Sequence, residues 1–132
     1  MTIFLKIKQN GYIDEISHYL KKNTNIPKCL LKYTDEQGEG MIELVDTIDY
    51  QDLSLIVYSW RQGESINSHK VNESYYGNIF ILCKCNDKYV DIDISEYSLI
   101  YNELYNDIQI EDTIEPSIID DTTLLKEDTT IY

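Results

Sequence analysis

Residues 76–94 read YGNIFILCKCNDKYVDIDI, and this pattern predicts a β-hairpin. Asn86-Asp87 separates two runs with many apolar residues, and both residue types tolerate the positive φ angles of a two-residue turn. Alternation along the two strands then places one apolar set on a single face. The expected pairs on that face are Cys83 with Val90, Ile81 with Ile92 and Ile79 with Ile94. The expected pairs on the other face are Lys84 with Tyr89, Leu82 with Asp91 and Phe80 with Asp93. A slip of one residue would set apolar side chains against aspartates, so the register is well specified.

A short helix is predicted directly after this hairpin. Ser95 is a suitable N-cap residue, and Glu96 would lie in the first turn, where a negative charge is favoured by the helix dipole. Apolar residues then recur at the spacing of one helical face. These residues are Tyr97, Ile100, Tyr101 and Leu104. We expect this face to pack on the isoleucine ladder of the hairpin.

The remaining segments predict further strands and a second helix. The expected elements are strands at residues 2–9, 28–34, 41–45 and 54–60, a helix at residues 12–23 after an Asn10-Gly11 turn, and a long polar loop at residues 61–74. Strands 28–34 and 41–45 are expected to form a hairpin, strand 54–60 is expected to be covered on both faces, and residues 46–52 are ambiguous. The predicted fold class is therefore α+β, with a mainly antiparallel sheet of five to six strands, two helices on one face and an acidic C-terminal extension.

Composition limits the classes of partner. The chain has 132 residues, which suggests one domain, and 24 acidic against 11 basic residues give it a net charge of −13. Direct binding to nucleic acid or to an anionic membrane needs basic residues, so both are disfavoured. No apolar run approaches the ~20 residues of a membrane span, and the first residues alternate as a strand would. We therefore expect a soluble intracellular protein.

The acidic residues are concentrated at the C-terminal end. Residues 107–132 contain eight acidic residues and one basic residue, Lys126, which gives −7 of the total −13. Such a segment has too few apolar residues to fold alone. We predict a single domain at residues 1–106 and an acidic tail at residues 107–132, ordered by docking on its own domain or on a partner.

The candidate metal site is weak. Cys83-x-Cys85 could begin a site that Cys29, His18 or His69 completes. However, two cysteines at this spacing on a strand share a face with the apolar ladder, and structural zinc sites usually combine two paired clusters. We therefore expect neither a metal nor any other cofactor. Because the number of cysteines is odd, a reducing compartment is expected.

The candidate catalytic groups are equally sparse. Asp91 and Asp93 share a predicted strand face and could act as an acid–base pair or hold a divalent cation, with His18 and His69 as further candidates. A solvated strand face is the simpler interpretation, because apolar side chains and one lysine surround them. We expect no catalytic residue and no enzyme, and the enzymatic hypothesis stays open as an alternative.

The segment from Tyr76 to Leu82, the segment from Val90 to Tyr97, and the pairs Ile100-Tyr101 and Leu104-Tyr105 resemble part of a group of small uncharacterised proteins of large nucleocytoplasmic DNA viruses. In those proteins an aromatic-Gly pair opens a strand, an Asp-Leu/Ile stretch leads into a helix, and an acidic tail follows. The resemblance covers about 30 of the 132 residues. It implies a viral origin, with a location in the cytoplasm or nucleus of a host or in a virion, and no assigned activity.

Twelve tyrosines are a further feature of the sequence. Tyrosine combines a large apolar area with a polar tip, which suits protein interfaces and also half-buried core positions. The expected function is a non-enzymatic acidic protein–protein interaction module, an accessory subunit of a larger assembly whose partner has a basic surface. The alternative is a nucleic-acid mimic that occupies the basic groove of a nuclease or polymerase. The predicted partner-binding residues are Tyr75, Tyr76, Tyr89, Asp91, Asp93, Tyr105, Glu111, Asp112, Asp120 and Asp121.

Overall fold

The computed structural model describes residues 1–106, which contain one antiparallel sheet and two helices. The elements are β1 (Thr2–Ile7), β2 (Ile13–His18), α1 (Ile26–Leu31), β3 (Glu43–Tyr50), β4 (Leu53–Trp60), β5 (Tyr76–Cys85), β6 (Lys88–Val90) and α2 (Ile94–Tyr101), which a π-helical segment (Asn102–Asn106) continues. The predicted α+β class, with its antiparallel sheet of five to six strands and two helices, is confirmed. The acidic extension at residues 107–132 lies outside the described residues.

The chain divides into two compact units, of which the first is Met1–Glu96 and the second begins at Tyr97. The whole sheet and α1 belong to the first unit. The predicted division into a domain at residues 1–106 and a tail stays a prediction. Within residues 1–106, no helix is both long and apolar enough to cross a membrane.

β5 is the central strand of the sheet. The strands follow the order β2-β1-β5-β4-β3, and β6 also pairs with β5. β4 covers one edge of β5, whereas the other edge is shared between β1, at residues 79–81, and β6, at residues 83–85. Residues 77–83 are all buried, which is typical of a strand covered on both faces.

The turn between β5 and β6 is the predicted one. Asn86 and Asp87 have φ angles of 52° and 67°, in the left-handed region that a two-residue hairpin turn requires. Next to the turn the register is also as predicted. The observed pairs are Cys83 with Val90, Lys84 with Tyr89 and Cys85 with Lys88.

Beyond Val90 the predicted hairpin ladder is wrong, because β1 occupies that part of the edge of β5. The pairs observed there are Leu5 with Ile81, Lys6 with Phe80 and Ile7 with Ile79. They replace the expected pairing of Ile81 with Ile92, Ile79 with Ile94, Phe80 with Asp93 and Leu82 with Asp91. The chain leaves β5 after Val90, and the Ile92 N–H instead donates to the Ile3 carbonyl oxygen at 3.0 Å. β1 brings Leu5 and Ile7 to full burial, which an alternation of isoleucine and aspartate could not match.

The strand predicted over residues 28–34 is wrong, because Ile26–Leu31 form the helix α1. Asn25 caps the helix, its Oδ1 accepting from the Lys28 N–H at 3.1 Å, and Pro27 lies in the first turn, where its missing N–H is tolerated. Buried positions at i, i+3 and i+4 form one face. The cluster that this face joins contains Phe4, Leu20, Ile26, Cys29, Leu30, Ile42, Trp60, Phe80 and Leu82.

The helix predicted over residues 12–23 is also wrong, because β2 occupies residues 13–18 and pairs with the whole length of β1. The predicted Asn10-Gly11 turn is confirmed. The Gly11 N–H donates to the Lys8 carbonyl oxygen at 2.8 Å, and Gly11 has a φ of 91°. The turn closes a hairpin whose hydrogen bonds satisfy the outer edge of β1. This tertiary pairing outweighs the helical preference that the sequence of the isolated segment predicts.

The predicted hairpin between residues 28–34 and 41–45 is wrong, because β3 forms its hairpin with β4. β3 begins at Glu43 and includes most of residues 46–52, for which no element was predicted. Its register with β4 shifts at a β-bulge between Leu44 and Asp46. β4 lies between β3 and β5, as its apolar residues on both faces predict. Residues 61–75 form the predicted loop. Its buried Asn67 donates from Nδ2 to the carbonyl oxygens of Ile7 and Gly77, at 3.0 and 2.8 Å.

The cap of α2 is Asp93, so the prediction of Ser95 as N-cap is wrong. Asp93 Oδ1 accepts from the Glu96 N–H at 2.8 Å, and Glu96 Oε1 accepts from the Asp93 N–H at 3.1 Å. This reciprocal pair is a capping box. The Ile94 N–H adds a hydrogen bond to Glu15 Oε2 of β2 at 2.9 Å. The packing of α2 on the isoleucine ladder stays a prediction.

Replacing Asp93 with alanine tests whether Asp93, and not Ser95, is the N-cap of α2. We expect Asp93→Ala to lower the free energy of unfolding by about 1 kcal/mol, because the Glu96 N–H loses its acceptor. Ser95→Ala is the matched control and should change it by less than about 0.5 kcal/mol. Urea denaturation of both variants measures the difference, and a larger loss for Ser95→Ala would contradict the observed cap.

Candidate protein-binding surface

The segment at residues 35–42, which connects α1 to β3, lies against the end of β4 and the beginning of β5. The Asn78 N–H donates to the Glu36 carbonyl oxygen, and the Glu39 N–H donates to the Gln62 carbonyl oxygen, both at 2.8 Å. These backbone hydrogen bonds attach the segment at two points. The 35–42 segment is therefore part of the folded unit and not a free loop.

The side chain of Asn78 fixes the first residues of this segment. Asn78 is fully buried, and its Oδ1 accepts from the N–H groups of Asp35 and Glu36 at 3.0 and 3.1 Å. Its Nδ2 donates to Glu36 Oε1, which also accepts from the Gln9 N–H at 2.7 Å. The amide thus uses both of its ends, as a buried polar group must.

Two glycines allow the segment to approach the sheet closely. A Cβ on Gly38 would lie 2.5 Å from the Gln62 carbonyl oxygen and would also meet the Trp60 side chain. Gly77 has a φ of 66°, and a Cβ there would lie 2.6 Å from the Glu36 carbonyl oxygen. Any larger residue would push the 35–42 segment away from Trp60 and β5.

Charge also holds the beginning of the segment. Lys6 Nζ and Lys8 Nζ lie 3.4 and 3.5 Å from Asp35 Oδ2. Partial burial opposes ionisation of Asp35, but a hydrogen bond with Asn78 and the two lysine charges outweigh it and lower the pKa of Asp35. Asp35 therefore stays ionised at neutral pH, and two of the eleven basic residues are engaged here.

An apolar cavity of about 320 Å³ opens on one side of the segment; we call it the Met41 cavity. Trp60, which is 1 % exposed, lies at its base, whereas Met41 and Leu31 are 80 % and 44 % exposed. Its other lining residues are Asn25, Pro27, Lys28, Gln37, Gly40 and Ile42. Large apolar side chains grouped around a concave surface are typical of a site that another molecule covers.

A second, polar depression of about 280 Å³ lies beside Glu39; we call it the Glu39 depression. Its lining residues are Gln9, Gln37, Gly38, Glu39, Glu64 and Ser65. Gln37 lines both the depression and the Met41 cavity. The same rigid segment therefore presents an apolar site and an acidic site next to each other.

The three predicted partner-binding tyrosines of the first unit do not form one surface. Tyr75 is 2 % exposed and its hydroxyl donates to the Val45 carbonyl oxygen, so it presents almost no area to a partner. Tyr76 pairs with Trp60 at the beginning of β5. Tyr89 lies near the opposite end, where the Lys84 ammonium is 4.8 Å from its ring centroid. Of these three, only Tyr76 lies near the 35–42 segment.

Two of the predicted acidic partner-binding residues, Asp91 and Asp93, lie among the described residues, and both accept hydrogen bonds from backbone N–H groups. Asp91 Oδ1 accepts from the Ile3 N–H at 2.9 Å at the beginning of β1, and Asp93 caps α2. The ring of Tyr105 packs on that of Tyr101, with centroids 4.5 Å apart. The other predicted residues, Glu111, Asp112, Asp120 and Asp121, lie outside the described residues.

The two candidate catalytic histidines lie at opposite ends of β1. His18 pairs with Thr2 at the beginning of β1, near Asp91, and its Nδ1 is hydrogen-bonded to the Tyr33 hydroxyl. His69 follows Ser68, which is bonded to Gln9 just after the end of β1. The length of β1 separates the two histidines by roughly 17 Å.

Two of the three cysteines are core residues, and Cys85 is half-buried. Cys29 and Cys83 are buried, and burial, with a smaller effect of Glu96, raises the pKa of the Cys83 thiol to about 11. The thiol of Cys83 is therefore protonated at neutral pH. Within residues 1–106, no three His, Cys, Asp or Glu side chains are grouped so that they could hold a metal ion.

The residues of the Met41 cavity were missed because the local secondary structure was assigned wrongly. The predicted strand at residues 28–34 gave no reason to expect Leu31 at a cavity. The predicted strand at residues 41–45 likewise made Met41 an ordinary strand position. A local signal was present in Asn25-Ile26-Pro27, since an Asn cap followed by proline in the first turn favours a helix. That helix would have placed Leu31 near the following Gly-rich segment.

Comparison with family models, with curated proteins and with solved structures found no match for this chain. The resemblance to viral proteins therefore stays a prediction. What can be inferred about function rests on the geometry and charge of the chain itself.

Removing the Asn78 amide should loosen the 35–42 segment and destabilise the fold. We expect Asn78→Ala to lower the free energy of unfolding by about 3 kcal/mol, because several buried polar groups lose their partners. Asn23→Ala, at an exposed position, is the control and should stay within about 0.5 kcal/mol of the unsubstituted chain. Urea titration followed by the fluorescence of Trp60, the only tryptophan, measures both. Equal stability of the two variants would contradict the role given to Asn78.

The burial of His69 predicts a pH dependence of stability. Burial lowers the pKa of His69 below its usual value, so as the pH falls the unfolded chain takes up this proton before the folded chain does. Stability contributed by the neutral imidazole is present above the ordinary histidine pKa of about 6.5 and is lost below it. We expect His69→Gln to reduce the loss of stability between about pH 7 and pH 5. His18→Gln controls for removal of an imidazole, and an unchanged slope in His69→Gln would contradict the prediction.

Proposed function

We propose that this chain is a non-enzymatic protein-interaction module that binds a partner with a basic surface, as an accessory subunit of a larger assembly. The observation that carries the proposal is the Met41 cavity. Met41 extends into solvent from a segment that buried hydrogen bonds hold in place, beside a concave apolar surface whose base is Trp60. The resemblance of residues 76–105 to viral proteins supports a viral assembly.

The energetics of Met41 and Leu31 favour association. Each Å² of apolar surface removed from water contributes roughly 25 cal/mol, and both side chains hold much of their surface in water. Methionine is unbranched and flexible, so it fits partner surfaces of different shape. The backbone of the 35–42 segment is already ordered, so binding does not have to pay for ordering it.

The net charge of −13 indicates the kind of partner. An acidic protein attracts basic surfaces over distances of about a Debye length, ~8 Å at physiological salt, and repels acidic ones. Of the eleven basic residues, Lys6 and Lys8 are engaged with Asp35, and Arg61 with Glu43 at 3.4 Å. Long-range attraction would bring a basic partner to the surface, and the Met41 cavity would then supply the short-range contact.

Selection from a random peptide library displayed on phage, with the full chain as bait, tests the proposal. Peptides selected on the unsubstituted chain should bind Met41→Glu about tenfold more weakly or worse, because the carboxylate disrupts the apolar contact. The added negative charge would by itself favour basic peptides, so a loss reports on the cavity and not on net charge.

Leu99→Glu is the matched control, since it makes the same change at another exposed apolar residue of the described chain. Peptides should bind this variant as they bind the unsubstituted chain. Selection that yields no peptides sensitive to Met41→Glu, or peptides equally sensitive to both variants, would reject binding at the Met41 cavity.

A further inference from the structure

We infer that the partner segment places an apolar side chain in the Met41 cavity and a lysine or arginine side chain in the Glu39 depression. This inference rests on the proposed function and specifies the chemistry of its partner. The occupant is one short segment of another protein, in which an apolar residue and a cationic residue lie close together.

The two sites are close enough for one segment to reach both. Gln37 lines both the cavity and the depression, whereas Gly38 and Glu39 line only the depression and Gly40 lines only the cavity. Gly40 has a φ of 78°, and among the described residues, apart from Gly40 and its two chain neighbours, no atom lies within 4 Å of where its Cβ would be. The surface over Gly40 is therefore open, and the main chain of a partner can cross the segment there.

The charges around the two sites give the partner segment a direction. Glu39 and Glu64 line the depression, whereas Lys28 lines the cavity on the other side. The nearby Glu43 is already paired with Arg61. A cation on the partner is thus attracted toward Glu39 and Glu64 and repelled from the side of Lys28, so only one orientation satisfies both charge and apolar contact.

The apolar cavity supplies the docking surface, and the carboxylates determine which segment fits. Solvent-exposed ion pairs contribute little affinity on their own. Their effect on specificity is larger, because a wrong charge at the rim opposes binding of an otherwise suitable apolar side chain. The expected preference is therefore for a basic over an acidic neighbour of the same apolar residue.

Short fluorescent Gly/Ser peptides test the inference, each carrying one phenylalanine or leucine and one arginine at varied spacing. In the matched set, glutamate replaces arginine. At the best spacing we expect the arginine peptide to bind roughly tenfold more tightly, as measured by anisotropy and by Trp60 fluorescence. The preference should shrink as salt rises from ~50 to ~500 mM, because screening weakens exposed charge pairs.

The double variant Glu39→Lys/Glu64→Lys should abolish or reverse the preference for arginine. Asp52→Lys/Glu73→Lys changes the net charge by the same amount at exposed positions elsewhere, and it should keep most of the preference. Equal loss in both double variants would show that only the overall charge matters, and would overturn the inference.

The outcomes separate the inference from the proposed function. Peptides that depend on Met41 but do not distinguish arginine from glutamate would reject the inference and leave the interaction module intact. An absence of any peptide sensitive to Met41→Glu would reject both. A dimer that Met41→Glu converts to a monomer in sedimentation would assign the cavity to a second copy of this chain and would likewise overturn the inference.

Discussion

The beginning of β5 depends on hydrogen bonds from outside the sheet. β1 reaches only residues 79–81 of this strand, yet buried backbone groups before that point also need partners. Loop residues supply them: the Asn78 N–H donates to Glu36, and the Gly77 carbonyl oxygen accepts from Asn67. The Ser59 hydroxyl, on the neighbouring strand, donates to the Asn78 carbonyl oxygen at 2.7 Å. The two longest connections of the described chain are thus ordered because a buried strand requires them.

This requirement connects the core to the candidate surface. The 35–42 segment is held against β5 by Asn78 and against Trp60 through Gly38. Met41, near the end of that segment, is 80 % exposed. The hydrogen bonds that complete the sheet thus also hold the backbone that carries this exposed methionine.

The sequence correctly predicts those parts of the fold that depend only on residues close together in the chain. The Asn86-Asp87 and Asn10-Gly11 turns are examples, because positive φ angles restrict the choice of residues. Pairing between distant segments was not predictable in this way. A helix was predicted at residues 12–23, but pairing with β1 makes residues 13–18 a strand. The Met41 cavity depends on α1, on the 35–42 segment and on Trp60 together, so no single stretch of sequence reveals it.

β2 and β3 are the edge strands of the sheet, and edge strands influence whether a protein aggregates at high concentration. An exposed strand edge is a template on which further chains can stack into fibrils. Along β3 the bulge between Leu44 and Asp46 interrupts the regular spacing of amides, and Asp46 and Asp49 carry charge along the strand. Both features oppose edge-to-edge polymerisation. The β3 edge is therefore a poor template for fibril growth, even though the protein exposes large apolar side chains such as Met41 to water.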